Sequence, residues 1–199
     1  MRFLVSVGGI SEGVYGILGS YKHKGVPSGI AGGLPWAGDN CAFTGFDGAR
    51  FSAWLDGMTA YCPTCLFVAV PDVVGDAVAT LARYAEWAPQ MNGWPLAYVA
   101  QDGSEAHNIP SSAAALFIGG TTAWKESVAA TLMIQRGQEM GLHIHIGRVN
   151  WRRRYQMFRL LPGSERFTCD GTRQRFEGIE KTLAAWKQYE NQEPLLKLG

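Results

Sequence analysis

A chain of 199 residues, 47% of them hydrophobic, can bury one good core and does not require a second domain, so residues 1–199 are read as a single domain. No stretch approaches the roughly 20 consecutive apolar residues of a membrane span, and four cysteines fit no disulfide-dense secreted scaffold, so a cytoplasmic protein with no membrane partner is expected. The formal net charge of +1 hides an asymmetry: residues 143–176 hold eight arginines against Glu165 and Asp170, about +6, which suits either a polyanion partner or a solvated helix face.

In chain order, residues 3–7 read as the first strand, because the short apolar run turns at once into Gly8-Gly9 instead of continuing as a signal peptide. The glycine-rich region 8–38 contains neither a phosphate-binding G-x-x-x-x-G-K-[ST] loop nor a GxGxxG turn, so no nucleotide cofactor is expected. It reads as a long flexible loop over an active-site mouth, carrying Tyr15, Tyr21, Lys22, His23 and Lys24. The apolar stretch from Leu34 then ends in an acid and an amide, Asp39 and Asn40. Phe51, Trp54, Leu55 and Met58 fall at helical spacing, and Cys62-x-x-Cys65 lacks the second pair that a zinc site needs, so no metal is expected.

The strand 66–70 finishes at Asp72, and Asp76 caps a helix whose apolar side is Val78, Leu81, Ala82 and Ala85. Residues 95–100 form a strand that delivers Gln101-Asp102, and 113–118 one that delivers Gly119-Gly120, with Trp124 and Lys125 as pocket walls beyond it. A helix over 123–140 is ended by Gly141. The strand 143–146 runs into Arg148 and Asn150, and its His143 and His145 read as core or mouth residues rather than metal ligands. A helix bearing Arg152, Arg153, Arg154 and Arg159 leads to the strand 166–169, in which Cys169 is a small buried residue, and then to Asp170. The last helix, 175–189, is expected to bury Phe176, Ile179, Leu183 and Trp186, and the tail 191–199 to be loosely held.

About seven strands, mostly followed by helices, argue for parallel pairing. The fold class is α/β, a compact (β/α)8-type (TIM-like) barrel with shortened or missing helices, since a full barrel typically uses about 250 residues; an open doubly wound sheet is the runner-up. Convergence favours the barrel. Asp39, Asp72, Gln101, Gly119-Gly120, Arg148 with Asn150, and Asp170 all follow strands, and only a closed barrel points them at one mouth. Ionised carboxylates can attack carbon or manage protons, glycines let a flat ring approach the backbone, and Gln101 with Asp72 can read that ring's hydrogen-bonding edge. The simpler role for Asp170 is a helix cap. A flat heterocycle, an anionic backbone and a nucleophilic acid together suggest a nucleic-acid base and its glycosidic bond.

Six segments, Ala37-Gly-Asp-Asn-Cys-Ala-Phe43, Val70-Pro-Asp-Val-Val-Gly-Asp76, Val99-Ala-Gln-Asp-Gly103, Phe117-Ile-Gly-Gly-Thr-Thr-Ala-Trp-Lys-Glu126, His145-Ile-Gly-Arg-Val-Asn150 and Cys169-Asp-Gly-Thr172, carry a resemblance in their order. They resemble the tRNA-guanine transglycosylase superfamily, and within it the compact phage and bacterial proteins related to enzymes that insert 7-deazaguanine bases into DNA. The resemblance implies Asp170 as the nucleophile at C1′ and Asp39 as the general acid/base. It implies that Asp72, Asn40, Gln101 and the Gly119-Gly120 backbone bind the base, and that Arg148 and Asn150 support the site or a nearby phosphate. Arg152, Arg153, Arg154, Arg159 and Arg173 would hold the backbone of DNA. The second substrate would be a free modified purine or 7-deazapurine base. The chain lacks the Cys-rich zinc element of the longer tRNA enzymes, which shifts the expectation from tRNA toward DNA. An N-glycosylase or nucleoside hydrolase on the same site, and a non-catalytic nucleic-acid-binding barrel, are the competing expectations.

Overall fold

The computed structural model describes residues 1–6, 14–190 and 192. Eight strands form one closed parallel barrel: β1 Arg2–Val5, β2 Gly16–Ser20, β3 Trp36–Asp39, β4 Cys65–Ala69, β5 Leu96–Ala100, β6 Ala115–Ile118, β7 His143–Ile146 and β8 Thr168–Cys169. Each strand pairs with the next, and Arg2 and Phe3 of β1 register with Thr168 and Cys169 of β8 to close the ring. The helices are short: α1 Ser28–Ala31, α2 Gly48–Met58, α3 Ala77–Trp87, α4 Thr122–Lys125, α5 Val128–Glu139, α6 Arg152–Arg159, α7 Gln174–Glu177 and α8 Ile179–Glu190. The architecture is the expected compact (β/α)8-type barrel, not the open sheet. Among the described residues no helix is long and apolar enough to cross a membrane.

The core divides in two because the side chains of a strand alternate between faces. Leu4, Leu18, Ala37, Phe67, Ala97 and Ala115 pack together as the filling of the lumen, with Phe117 against them. Val5, Ile17, Trp36, Val68, Tyr98, Leu116 and Ile146 take the opposite parity and belong to the larger core shared with the helices. Burial of the helix residues Phe51, Leu55 and Met58 on α2 follows their spacing, and Asp76 caps α3 by accepting from the Ala79 N–H at 2.9 Å.

Four expectations are corrected. The buried face of α3 is Ala77, Thr80 and Tyr84, and Val78, Ala82 and Ala85, expected on its apolar side, are exposed. The glycine-rich region is not a long loop, because it contains β2 and α1. Its glycines mark close packing: a Cβ on Gly16 would collide with the Pro35 carbonyl, and one on Gly29 would come within 2.8 Å of Ile17. Val7 and the rest of 7–13, including Gly8-Gly9, lie outside the described residues, as does the tail apart from Gln192. The helix expected over 123–140 is two, because Ser127 caps a fresh start by accepting from Ala130 N–H. The last helix also breaks, at Gly178 (φ 85°), and the turn leaves Phe176 85% exposed instead of buried. Trp186 does anchor α8, its ring centroid 4.4 Å from Phe3 and 4.7 Å from Tyr155.

Candidate active site

The parity that fills the lumen also aims its upper ends. Asp39 is the last residue of β3, while Gln101, Gly119, Gly147 and Asp170 are each the first residue past β5, β6, β7 and β8. These residues, with Asn40, Asp72, Gly120 and Arg148, line one small cavity of about 100 Å³ whose apolar floor includes Leu18, Val99 and Phe117. Every proposed catalytic and base-binding residue except Asn150 is therefore brought to one cup. Asn150 lies outside the lining and holds the chain after Asp170 instead, its Oδ1 accepting from the Thr172 N–H at 2.7 Å.

Of the three carboxylates that line the cup, Asp39 and Asp170 are each held by a backbone N–H from a strained residue. The non-glycine residues with positive φ among those described are Cys41 (φ 59°) and Arg148 (φ 58°), a conformation that costs an L-residue about 1–2 kcal/mol. The Cys41 N–H donates to Asp39 Oδ1 at 3.1 Å, and the Arg148 N–H to Asp170 Oδ1 at 2.9 Å. Asp170 Oδ1 also lies 3.3 Å from His145 Nε2. Among the described residues no hydrogen bond reaches the second oxygen of either acid, and the Asp170 side chain keeps 12% of its surface open.

The two acids are pushed in opposite directions. Burial raises the Asp39 carboxyl above the ordinary range, the Cys41 N–H opposes this, and the charge of Asp170 reinforces it. Burial also works against the Asp170 carboxylate, but the His145 hydrogen bond, the Arg148 N–H and the Lys125 ammonium outweigh it and hold the group below its usual value. One acid thus favours its proton and the other its charge, the separation that divides acid from nucleophile in paired-carboxylate sites.

Asp72 has a different setting. Asn40 Nδ2 donates to its Oδ1 at 2.8 Å and Gln101 Nε2 to its Oδ2 at 2.6 Å. Gln101 Oε1 accepts from the N–H groups of Gly75 and Gly120, both at 2.9 Å, which fixes which end of the amide faces Asp72. A Cβ on Gly119 would sit 2.7 Å from Gln101 Nε2 and 3.0 Å from the Ala100 carbonyl, so this wall must be bare backbone. Asn40 lines the cup but has both amide hydrogens committed, the second to the Val70 carbonyl at 2.9 Å, so it orients Asp72.

Burial lifts the Asp72 carboxyl to about 6. Because its folded value exceeds the ordinary 3.8, its contribution to stability is complete below about pH 4 and lost as pH rises through about 6. Denaturant midpoints across that window should fall in the wild type relative to Asp72→Asn, in which this component of the slope is absent; parallel curves would contradict the assignment.

Lys125, read from sequence only as a pocket wall, is 3% exposed in the cup and donates to the Gly147 carbonyl at 3.2 Å. Burial lowers its ammonium to about 8, with Arg154 pushing the same way and Asp170 opposing. His145, expected as a core or mouth residue, stands below Asp170 beside Thr168, which nothing local in the sequence marks. Asp102 closes the turn after β6 by accepting from Thr121 N and Oγ1 at 2.7 and 2.6 Å. Arg148 lies over the exposed Phe43 ring, 3.3 Å from its centroid, at the rim.

The arginine set does not form one phosphate-facing surface. Arg154 is buried: its Nη1 donates to the Arg148 carbonyl at 2.7 Å, and its Nε and Nη2 reach Glu126 Oε1 at 3.3 and 3.2 Å. It braces the strained Arg148 loop and, contrary to expectation, is not placed to meet DNA. Arg173 is tied to Glu177 and Tyr189 at 2.7 and 2.6 Å, and Arg159 donates to the Glu190 carbonyl at 3.0 Å. The Arg153 side chain remains 67% exposed, 3.8 Å from Glu126, and Arg152 is half-buried. Arg154→Ala should therefore lower unfolding free energy by about 2–4 kcal/mol, since it strands Glu126 and the Arg148 carbonyl, whereas Arg153→Ala should change it by less than about 0.5 kcal/mol. Urea denaturation of the two variants checks this.

Among the described residues no cluster of His, Cys, Asp and Glu is arranged to hold a metal, and none of the four cysteines is in a disulfide. No family model, curated protein or solved structure matches the chain.

Proposed function

We propose that this barrel is a nucleic-acid base transglycosylase that exchanges a purine in DNA for a free modified base through a covalent aspartyl-glycosyl intermediate. The observation that carries the reading is the carboxyl pair in one cup. Asp170 is held ionised with one oxygen pinned and the other unengaged, and Asp39 opposes it with a raised pKa.

The unengaged Asp170 oxygen attacks C1′ as the C1′–N bond to the base breaks, and Asp39 gives its proton to the departing nitrogen. Asp39, now a carboxylate, takes the proton from the incoming base, whose nitrogen attacks C1′ and releases Asp170. Two displacements at one carbon retain its configuration. At neutral pH the Asp72 carboxylate accepts hydrogen bonds, so the ring edge facing it carries N–H donors, as guanine and its 7-deaza relatives do. The bare Gly119-Gly120 wall admits a flat ring. Reaching a base in this cup requires extruding it from its stack, and exposed Arg153 is suited to meet the backbone. DNA as the carrier rests on the sequence resemblance.

The test is incubation of the protein with DNA and labelled candidate bases, followed by nucleoside mass spectrometry. A new nucleoside in the polymer supports exchange. Abasic sites would identify water as the acceptor, and binding with no base released would leave only a nucleic-acid-binding barrel.

A further inference from the structure

A polar line runs through the barrel lumen beside its apolar and aromatic filling. His143 Nε2 lies 2.7 Å from Thr168 Oγ1, Thr168 Oγ1 lies 2.9 Å from His145 Nδ1, and His145 Nε2 lies 3.3 Å from Asp170 Oδ1. Thr168 and His145 are completely buried and His143 is half-buried. The line exists because β7 and β8 are neighbours in which His145 and Thr168 are register partners, and because residues two apart on a strand share a face.

We infer that Thr168 and His143 are positioning residues that fix the proton of His145 on Nε2, so that it donates to Asp170 Oδ1 and leaves the other Asp170 oxygen as the attacking atom. The inference rests on the reading of Asp170 as nucleophile. Thr168 offers one hydrogen and two lone pairs to two ring nitrogens, so at least one ring donates to the hydroxyl, and where the hydroxyl hydrogen is spent within the line the other ring accepts it. Were the hydrogen directed at His143, a neutral His145 would carry its proton on Nδ1 and turn a bare Nε2 lone pair toward a carboxylate oxygen. The opposite order satisfies every atom: His143 Nε2–H donates to Thr168, Thr168 O–H to His145 Nδ1, and His145 Nε2–H to Asp170.

His143 suits the neutral end of this line. Burial, followed by His145 and Arg2, lowers its imidazole to about 4, so at neutral pH it has one N–H to give. The rings of Phe67 and Phe117, with centroids 5.1 and 4.5 Å from His145, hold that imidazole in place. All three donors point up the lumen at Asp170. The same Nε2–H remains a donor when Asp170 becomes an ester and when it departs again as a carboxylate, so both displacements gain from it.

The ring-nitrogen NMR signals of the histidines, read without substrate, test the tautomer directly. The wild type should show His145 protonated at Nε2 and bare at Nδ1, and Thr168→Val should lose that fixed pattern. In base exchange, Thr168→Val should lower kcat roughly tenfold to a hundredfold, the loss typical of removing a group that orients a reacting one, with little change in KM for the free base. Thr168→Ser should recover most of the rate. A wild-type His145 protonated only on Nδ1 overturns the inference, as does a Thr168→Val enzyme with wild-type kcat. Should the wild type exchange no base at all, the transglycosylase proposal fails while the nitrogen signals still decide the order of the column.

Discussion

Asp170→Asn is expected to abolish base exchange and the trappable enzyme–DNA adduct while leaving the barrel folded. The amide replaces an ionised oxygen with groups that cannot bond to C1′ as a leaving carboxylate, and removal of a nucleophile of this kind typically lowers kcat by about 10³-fold or more. The fold should survive because the Asn oxygen can still accept from Arg148 N–H, which now reaches Asp170 Oδ1 at 2.9 Å. Relief of a carboxylate buried beside Asp39 further offsets the lost charge–dipole contacts. Gel-shift detection of the adduct beside a thermal melt separates the two effects. An Asp170→Asn protein that still forms adduct at the wild-type rate would remove Asp170 from the chemistry.

Asp39→Asn should have the next largest effect, about 10²–10⁴-fold on exchange of a natural base, the usual contribution of a positioned proton donor. The variant loses the group that protonates the leaving nitrogen but keeps Asp170. A substrate whose base departs without protonation should therefore still load the enzyme, and comparison of the two substrates isolates proton transfer from binding. The pH dependence follows from the opposite shifts of the pair. With Asp170 held below the ordinary carboxylate range and Asp39 raised above it, adduct formation needs the first ionised and the second protonated. The rate should rise with pH through the lowered value and fall through the raised one, and Asp39→Asn should erase the falling limb. A falling limb of unchanged position in that variant would assign it to another group.

The barrel was legible in the sequence where each strand stopped at a functional side chain, because strand ends and alternating faces are local patterns. The same patterns placed Asp39, Gln101, Gly119 and Asp170 in one cup once the ring was closed. What remained illegible depended on contacts distant in sequence. β2 was hidden because its Gly16 and Gly19 resemble loop residues, although they are required by the closeness of Pro35, Ile30 and Trp54. Arg154 looked like its exposed neighbour Arg153 until Glu126, 28 residues away, supplied its partner. His145 gains its position from Thr168, 23 residues later, and no spacing rule announces a pair formed by neighbouring staves of a barrel. Phe176 was misplaced because helical periodicity was carried across Gly178, where the chain turns.

Asp39 ends a strand, and Gln101, Gly119 and Asp170 each stand a single residue beyond one, so the reactive groups are anchored to the wall of the molecule. The first residues beyond them share that burden, since the Cys41 and Arg148 N–H groups hold Asp39 and Asp170 and Arg154 braces the Arg148 loop. If the proposed function holds, changes confined to loop residues farther out than Cys41, Lys125, Arg148 and Arg154 would alter which nucleic-acid structure is engaged without retuning the carboxyl pair. On that reading, recognition would drift in the outer loops only as far as the inner turns that grip the two acids allow.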